Sequence, residues 1–172
     1  LLLVVFAVLM AFFLWARLPS AKLLGVVTNN VNGQPFQITN GGFLLKLTAN
    51  LQVYNPNFVG GSFDYIRGKA YNPALKTVPF GSGEQVGISV PAKSTSDISF
   101  PLTLNYSQQN DVNSAILSDL ANRCGIFGNP KTRIEILFSV DSSFRVVAVP
   151  VVLPTISSSV SIDCPAEVQY PL

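Results

Sequence analysis

The side chain that most versatile active sites depend on is missing from this chain: none of its 172 residues is histidine. That removes Ser-His-Asp and Cys-His nucleophile pairs, HExxH zinc sites and imidazole proton relays. There is no GxSxG nucleophile turn and no phosphate-cradling Walker loop, and Gly81-Ser82-Gly83 is too short for either. Carboxylates could still do acid/base work in pairs. Asp64, Glu84, Asp97, Asp111 and Glu135, however, fall singly along expected strand and turn edges, where solvation accounts for them. Asp141 and Asp163 have the oxygen donors for a hard cation but not the spacing of a calcium loop. The chain therefore reads as non-catalytic, with no cofactor and no metal site. Tyr54, Tyr65, Tyr71 and Phe80 could make an aromatic surface, although a β core uses the same residues.

Two cysteines remain, Cys124 and Cys164, at a spacing that fits no zinc or redox motif. An even pair in a small domain behind an apolar N-terminus points to a disulfide in an oxidising compartment. On the chain-entropy model, closing a loop of about 40 residues stabilises a fold by roughly 4 kcal/mol. Two buried thiols acting as small hydrophobes are the alternative. Asn105-Tyr106-Ser107 is a glycosylation sequon, making Asn105 a candidate acceptor that a strand could bury.

Composition sets the broad class. Charged residues are only 12% of the chain, and its mean hydropathy is +0.40, against roughly 25% charged in ordinary soluble domains. The formal net charge is +2 with no basic run, which excludes a phosphate-tracking surface and hence a nucleic-acid partner. Residues 1–16 are apolar without exception and would form a helix of about 24 Å. A hydrocarbon core is ~30 Å thick, so a few further residues upstream are expected to complete a span. Trp15, Arg17 and Lys22 then sit where interfacial side chains belong. A cleaved signal peptide is the alternative, but bulky Leu14-Trp15 and Pro19-Ser20-Ala21 make poor cleavage sites. Arg17 and Lys22 lean toward a cytosolic domain by the positive-inside rule, whereas the cysteines lean toward the extracytosolic side.

The elements that would position these residues are strands. Residues 1–17 are expected as a transmembrane helix, 18–22 as a tether that Pro19 keeps from continuing the helix, 23–164 as the folded domain and 165–172 as a tail. Leu24 to Val27 opens the domain, and Asn32-Gly33 is a hairpin signal. Leu45, Leu47, Ala49, Leu51 and Val53 alternate with polar residues, as in a half-buried strand. Asn55-Pro56-Asn57 stops that strand, and Asn72-Pro73 stops the next. Short strands are expected at residues 78–80 and 85–90, then at Ile98, Phe100, Leu102 and Leu104, where Pro101 signals an edge or a bulge. Asn110 or Asp111 is expected to cap a helix carrying Val112, Ala115, Ile116 and Leu120, which ends near Gly125. Strands at 132–140 and 144–153 flank an expected Asp141-Ser142-Ser143 hairpin turn, and 157–163 adds a last one. The predicted class is mainly β: an antiparallel, immunoglobulin- or fibronectin-III-like sandwich of about seven or eight strands with one short α-helix, behind an N-terminal transmembrane helix.

Three stretches carry a resemblance: Leu47-Thr48-Ala49-Asn50-Leu51-Gln52-Val53-Tyr54-Asn55-Pro56-Asn57, Tyr65-Ile66-Arg67-Gly68-Lys69-Ala70-Tyr71, and Val90-Pro91-Ala92-Lys93-Ser94-Thr95-Ser96. Together they resemble late embryogenesis abundant proteins of the second group, also called the water stress and hypersensitive response (WHy) domain. The match is good over residues 44–104 and loose beyond. It implies a seven-stranded sandwich with one helix, no known catalysis, and single-pass anchoring with the domain outside the cytosol. It also implies stress-protective or immune roles, with lipid or other hydrophobic ligands proposed for some members. Asn55, Pro56 and Asn57 carry over as the family motif, with strand punctuation as their expected role rather than ligand binding. Cys124, Cys164 and the tail after Pro165 depart from the family pattern.

Three functions follow as expectations. The first is a membrane-anchored interaction module held close to the bilayer, contacting membrane lipids and other membrane or extracytosolic proteins, with oligomers allowed. The second is a lipid-binding or lipid-transfer domain, which a cleft of about 300 Å³ or more opening toward the anchor would favour. The third is a structural accessory subunit of a larger membrane assembly.

Overall fold

The computed structural model describes residues 2–14, 17–28, 36–146 and 148–164. The protein is mainly antiparallel β with one helix in the domain. Among the described residues nine strands form a single curled sheet: β1 Ser20–Thr28, β2 Phe36–Thr39, β3 Gly42–Tyr54, β4 Gly61–Tyr71, β5 Gly81–Val90, β6 Thr95–Ser107, β7 Ile134–Val146, β8 Val149–Val152 and β9 Ile156–Ile162. The path through the sheet is β1-β3-β6-β5-β4-β7-β8, with β2 also on β3 and β9 also on β7. Thus β1 and β2 lie end to end along β3, and β8 and β9 end to end along β7.

One narrow joint makes this sheet two leaves. β3 and β6 pair from Gly42↔Ser107 through Tyr54↔Thr95, whereas β5 and β6 share only Gly81↔Leu104 and Ser82↔Thr103. The cause is in the sequence. Asn105 donates its N–H to the Phe80 carbonyl at 2.7 Å, so residues 105, 103 and 101 turn their backbone nitrogens toward β5. Pro101 has no N–H to give, and the ladder stops there. Its expected edge role is therefore observed inside a long strand. Past the joint the leaves separate, and their facing side chains fill the space between: Leu45, Leu47 and Val53 of β3 with Phe100 and Leu102 of β6, against Ile66, Ala70, Ile136 and Phe144 of β4 and β7. A bulge at Asp64, where the β4–β7 register shifts, changes the inward positions of β4 from Phe63 to Ile66, Gly68 and Ala70.

Several expectations need correction. Asp141-Ser142-Ser143 is not a turn; β7 runs straight through it, paired with Arg67, Ile66 and Tyr65 of β4. Ladder bonds and the burial of Ser142 and Ser143 outweigh the turn preference of short polar residues. Residues 78–80 form no strand, and β5 begins at Gly81. The first strand begins at Ser20, inside the span expected as a tether, because Ser20, Ala21 and Lys22 pair with Tyr54, Val53 and Gln52. Of the four aromatic candidates, Phe80 is buried and Tyr54 exposed, with Tyr65 and Tyr71 between.

N-terminal to the sheet, α1 covers Leu2–Leu14, about 20 Å of helix. Among the described residues no helix is long and apolar enough to cross a membrane. Trp15, the Asn32-Gly33 turn and the 165–172 tail lie outside the described residues. The buried core draws on strands and α2 (Ala115–Arg123) and, among the described residues, on nothing from α1. The described residues from Arg17 onward therefore carry their own core, which meets the requirement for folding without α1.

The joint gives a direct test. A Cβ at Gly83 would sit 2.2 Å from the Pro101 carbonyl oxygen and 3.0 Å from the Phe100 ring. Gly83→Ala should cost about 2 kcal/mol or more in urea unfolding, since backbone must move to admit the methyl. A change under about 0.5 kcal/mol would mean that the leaves do not approach there.

Candidate functional site

The two ends of the curled sheet differ, and each is organised by an asparagine followed by proline. At the end where the chain enters, Asn55 is fully buried, with no exposed surface. Its amide nitrogen shares two protons among the carbonyls of Val59 (3.2 Å), Val90 (3.3 Å) and Pro91 (3.0 Å). Its Oδ1 accepts from the Asn57 backbone at 3.0 Å and the Asn57 side chain at 2.8 Å. Asn57, also buried, grips the incoming chain on both sides. Its Oδ1 accepts the Arg17 N–H at 2.6 Å and its Nδ2 donates to the Arg17 carbonyl at 2.9 Å, much as a neighbouring strand would. The backbone adds Asn55 N–H to Ser94 O and Lys93 N–H to Asn57 O. The motif therefore does more than punctuate the strand: it ties together three segments distant in sequence.

Phe58 is exposed at this end, with the Lys93 Nζ 4.0 Å and the Arg17 guanidinium 5.7 Å from its ring centroid. Arg17 and Lys22 are both exposed, and Lys22 lies in β1. Sequence patterning gave no reason to single out Phe58 and Lys93.

At the far end, Asn72 is equally buried and donates to the Asp119 carboxylate of α2 at 3.0 Å, while its Oδ1 accepts the Ala74 N–H. Asp119 in turn binds Arg123 one turn on, at 2.9 and 3.1 Å, and Arg123 donates to the Arg133 carbonyl ahead of β7. This chain of bonds fixes α2 to the end of β4 and the start of β7. Asp111 caps α2 from outside its first turn, accepting from Ile116 N–H at 2.9 Å, Leu117 N–H at 3.0 Å and the Tyr106 hydroxyl at 3.0 Å. Asn113 and Ser114 take left-handed φ values of 56° and 53° to allow that reach. The other expected cap, Asn110, ends a short 3-10 turn. At the C-terminus Ile126 N–H reaches Ala121 O and Gly125 N–H reaches Asn122 O, with Gly125 at φ 73°, a Schellman stop. Cys124 and Cys164 are bonded, with Cα atoms 5.6 Å apart, clasping the end of α2 to the chain just beyond β9.

Between α2 and the sheet lies a cavity of about 790 Å³. Its walls are Phe43, Leu45, Phe80 and Leu104 near the joint, Leu117, Leu120 and Ala121 of α2, Ile134 and Ile136 of β7, Ile162 of β9, and the disulfide itself. Lys131, Arg133 and Asp163 are the charged residues that line it. The volume suits a small apolar ligand, and its place in the fold is remote from where the chain enters. The cavity is at the Gly42 end of β3 and the chain enters at the Tyr54 end, about 40 Å away along the strand.

The remaining candidates are engaged separately. Asp64 pairs with Arg145, Glu84 with Arg67, Asp97 with Gln52, Asp141 with Thr155, and Asp163 with Arg133. Among the described residues no three metal-ligating side chains converge. Asn105 is exposed on β6 rather than buried by the strand.

No family model matches this sequence, and no curated protein matches it. Several solved structures resemble the fold, and two illustrate the likeness. One is a solution structure from Arabidopsis thaliana, 17% identical, covering 87% of this chain and 83% of the other with a TM-score of 0.56. The second, described as a late embryogenesis abundant (LEA) protein, is 16% identical, covering 92% and 79% with a TM-score of 0.51. The likeness is one of fold, and these neighbours include one protein described as LEA.

Replacing Asn55 with Ala removes a donor from the Val59, Val90 and Pro91 carbonyls and leaves the Asn57 backbone N–H without its acceptor. The expected loss is about 3 kcal/mol in urea unfolding, and an effect below about 1 kcal/mol would show the hub to be dispensable. Burial first, and then the Asp111 hydrogen bond, push the Tyr106 hydroxyl up to about 12 from its ordinary 10. The folded state thus holds this proton more tightly than the unfolded state. Its contribution is complete below pH 10 and is lost as pH rises from 10 to 12. Stability should fall over that window less steeply in Tyr106→Phe than in the parent; identical slopes would refute the assignment.

Proposed function

We propose that this protein is a non-catalytic, membrane-tethered β-sandwich module of the LEA group 2/WHy kind that holds an apolar ligand between α2 and the sheet. The observation that carries this reading is the cavity of about 790 Å³ with its aliphatic and aromatic walls. The cleft is apolar, half open to solvent and bordered by a helix fixed through Asn72, Asp119 and the disulfide, which suits an apolar occupant. The apolar run at residues 1–16 supports the tether. The Cys124–Cys164 bond supports an extracytosolic domain, since disulfides persist in oxidising compartments. With its mouth at the end remote from the tether, the domain would meet its ligand away from the bilayer that holds it.

Display toward protein partners is a second reading, favoured by the apolar side chains along the sheet's outer strands. Leu24 and Val27 of β1 are exposed, as are Val149 and Val152 of β8. Strand edges of this kind accept an added strand.

The ligand reading is tested by filling the void. Ala121 is buried on α2 and lines the cavity. Ala121→Phe in residues 17–172 should weaken binding of the neutral probe N-phenyl-1-naphthylamine by about tenfold or more, while circular dichroism and Tm stay near the parent's. Undiminished probe binding in a folded Ala121→Phe protein would sink the cavity reading and leave display as the function.

A further inference from the structure

We propose that the ligand is a single-chain amphiphile with a carboxylate head, a long-chain fatty acid, whose head is held at the cavity mouth by Lys131 and Arg133. This rests on the ligand-binding reading above and adds the ligand's class. The charges of the lining are confined to Lys131, Arg133 and Asp163, beside walls that are otherwise almost wholly apolar. That is the layout of an amphiphile site: one apolar cleft and one charged lip. The lip has two cations against one carboxylate, so it favours an anion. Asp163 engages Arg133 through Nε at 3.0 Å, but both side chains are well exposed, at 62% and 85%. Such pairs are weak and screened, so a ligand carboxylate can take the place of Asp163 at low cost.

The local backbone holds the lip in position. Thr132 N–H donates to Arg123 O at 2.7 Å, and Arg123 donates to the Arg133 carbonyl at 3.2 Å, fixing residues 131–133 beside the end of α2. A helix C-terminus would ordinarily repel an anion. Here its carbonyls are taken: Leu120, Ala121, Asn122 and Arg123 accept from Cys124, Ile126, Gly125 and Thr132. Lys131 lies against that same turn, its Cγ 3.1 Å from where a Cβ on Gly125 would be. A chamber of about 790 Å³ takes one long chain in the size range of small-ligand sites.

The test compares dodecanoate with dodecanol on residues 17–172 at low ionic strength, by calorimetry or probe displacement. Dodecanoate should bind about tenfold tighter, with the advantage shrinking as salt is added. Lys131→Ala with Arg133→Ala should remove that advantage and leave dodecanol unchanged. Asp163→Asn should raise dodecanoate affinity severalfold by releasing Arg133. Equal binding of acid and alcohol, or a preference that survives the double substitution, overturns the head-group assignment while leaving the cavity occupied. Binding of neither molecule overturns the cavity reading and this inference together.

Discussion

The structure depends on how little backbone joins its two leaves. Pro101 turns a nitrogen without a proton toward β5, and the ladder there ends after Ser82↔Thr103. In an ordinary continuous sheet, hydrogen bonds hold neighbouring strands at a fixed spacing. Here most of the contact between leaves is side chain on side chain, which can close tightly or stand apart. What decides between these outcomes is the polar closure at each end.

Those closures share one device. Asn55-Pro56 and Asn72-Pro73 each end a strand, and each places a fully buried amide against carbonyls or carboxylates of other segments. Asn55 draws its end shut and, through Asn57, seats the chain arriving from the apolar N-terminus. Asn72 holds α2 at the end of the sheet between Asp111 and the disulfide, with Ile116 packed into the core and Leu117, Leu120 and Ala121 bordering the cleft. A buried amide with all its bonds made is stabilising, and one with a missing partner is costly. Both residues are therefore poorly replaceable for structural reasons, while the region available for binding is bounded by side chains that could vary.

Much of this was legible in the sequence, and the misses have physical causes. Period-two alternation located β3 and β6 because one face of each is buried along nearly its whole length. Asp111 and Gly125 marked α2 because cap chemistry is local. The cysteine pair was readable from count and context. Asp141-Ser142-Ser143 misled because turn propensity is local, whereas the β4 ladder that holds those residues extended, with the Asp64 bulge accepting from Ser143, is not. Asn55 and Asn57 were visible as a stop, yet no spacing rule tells where a buried amide will reach. Wall residues of the cavity come from β3, β6, α2, β7 and β9, and each carries an ordinary core signature. Only the third dimension shows that they border one cleft.

The central claim is that the chamber at the α2 end is the binding site and that the Asn55 end is closed. Methyl-resolved NMR of residues 17–172, titrated with dodecanoate, reads both ends at once. The account predicts saturable shifts at Leu120, Ile134, Ile136 and Ile162, with Val53, Val90 and Val146 unmoved. Shifts centred on Val53 and Val90, or none at the α2 end at ligand saturation, would contradict it.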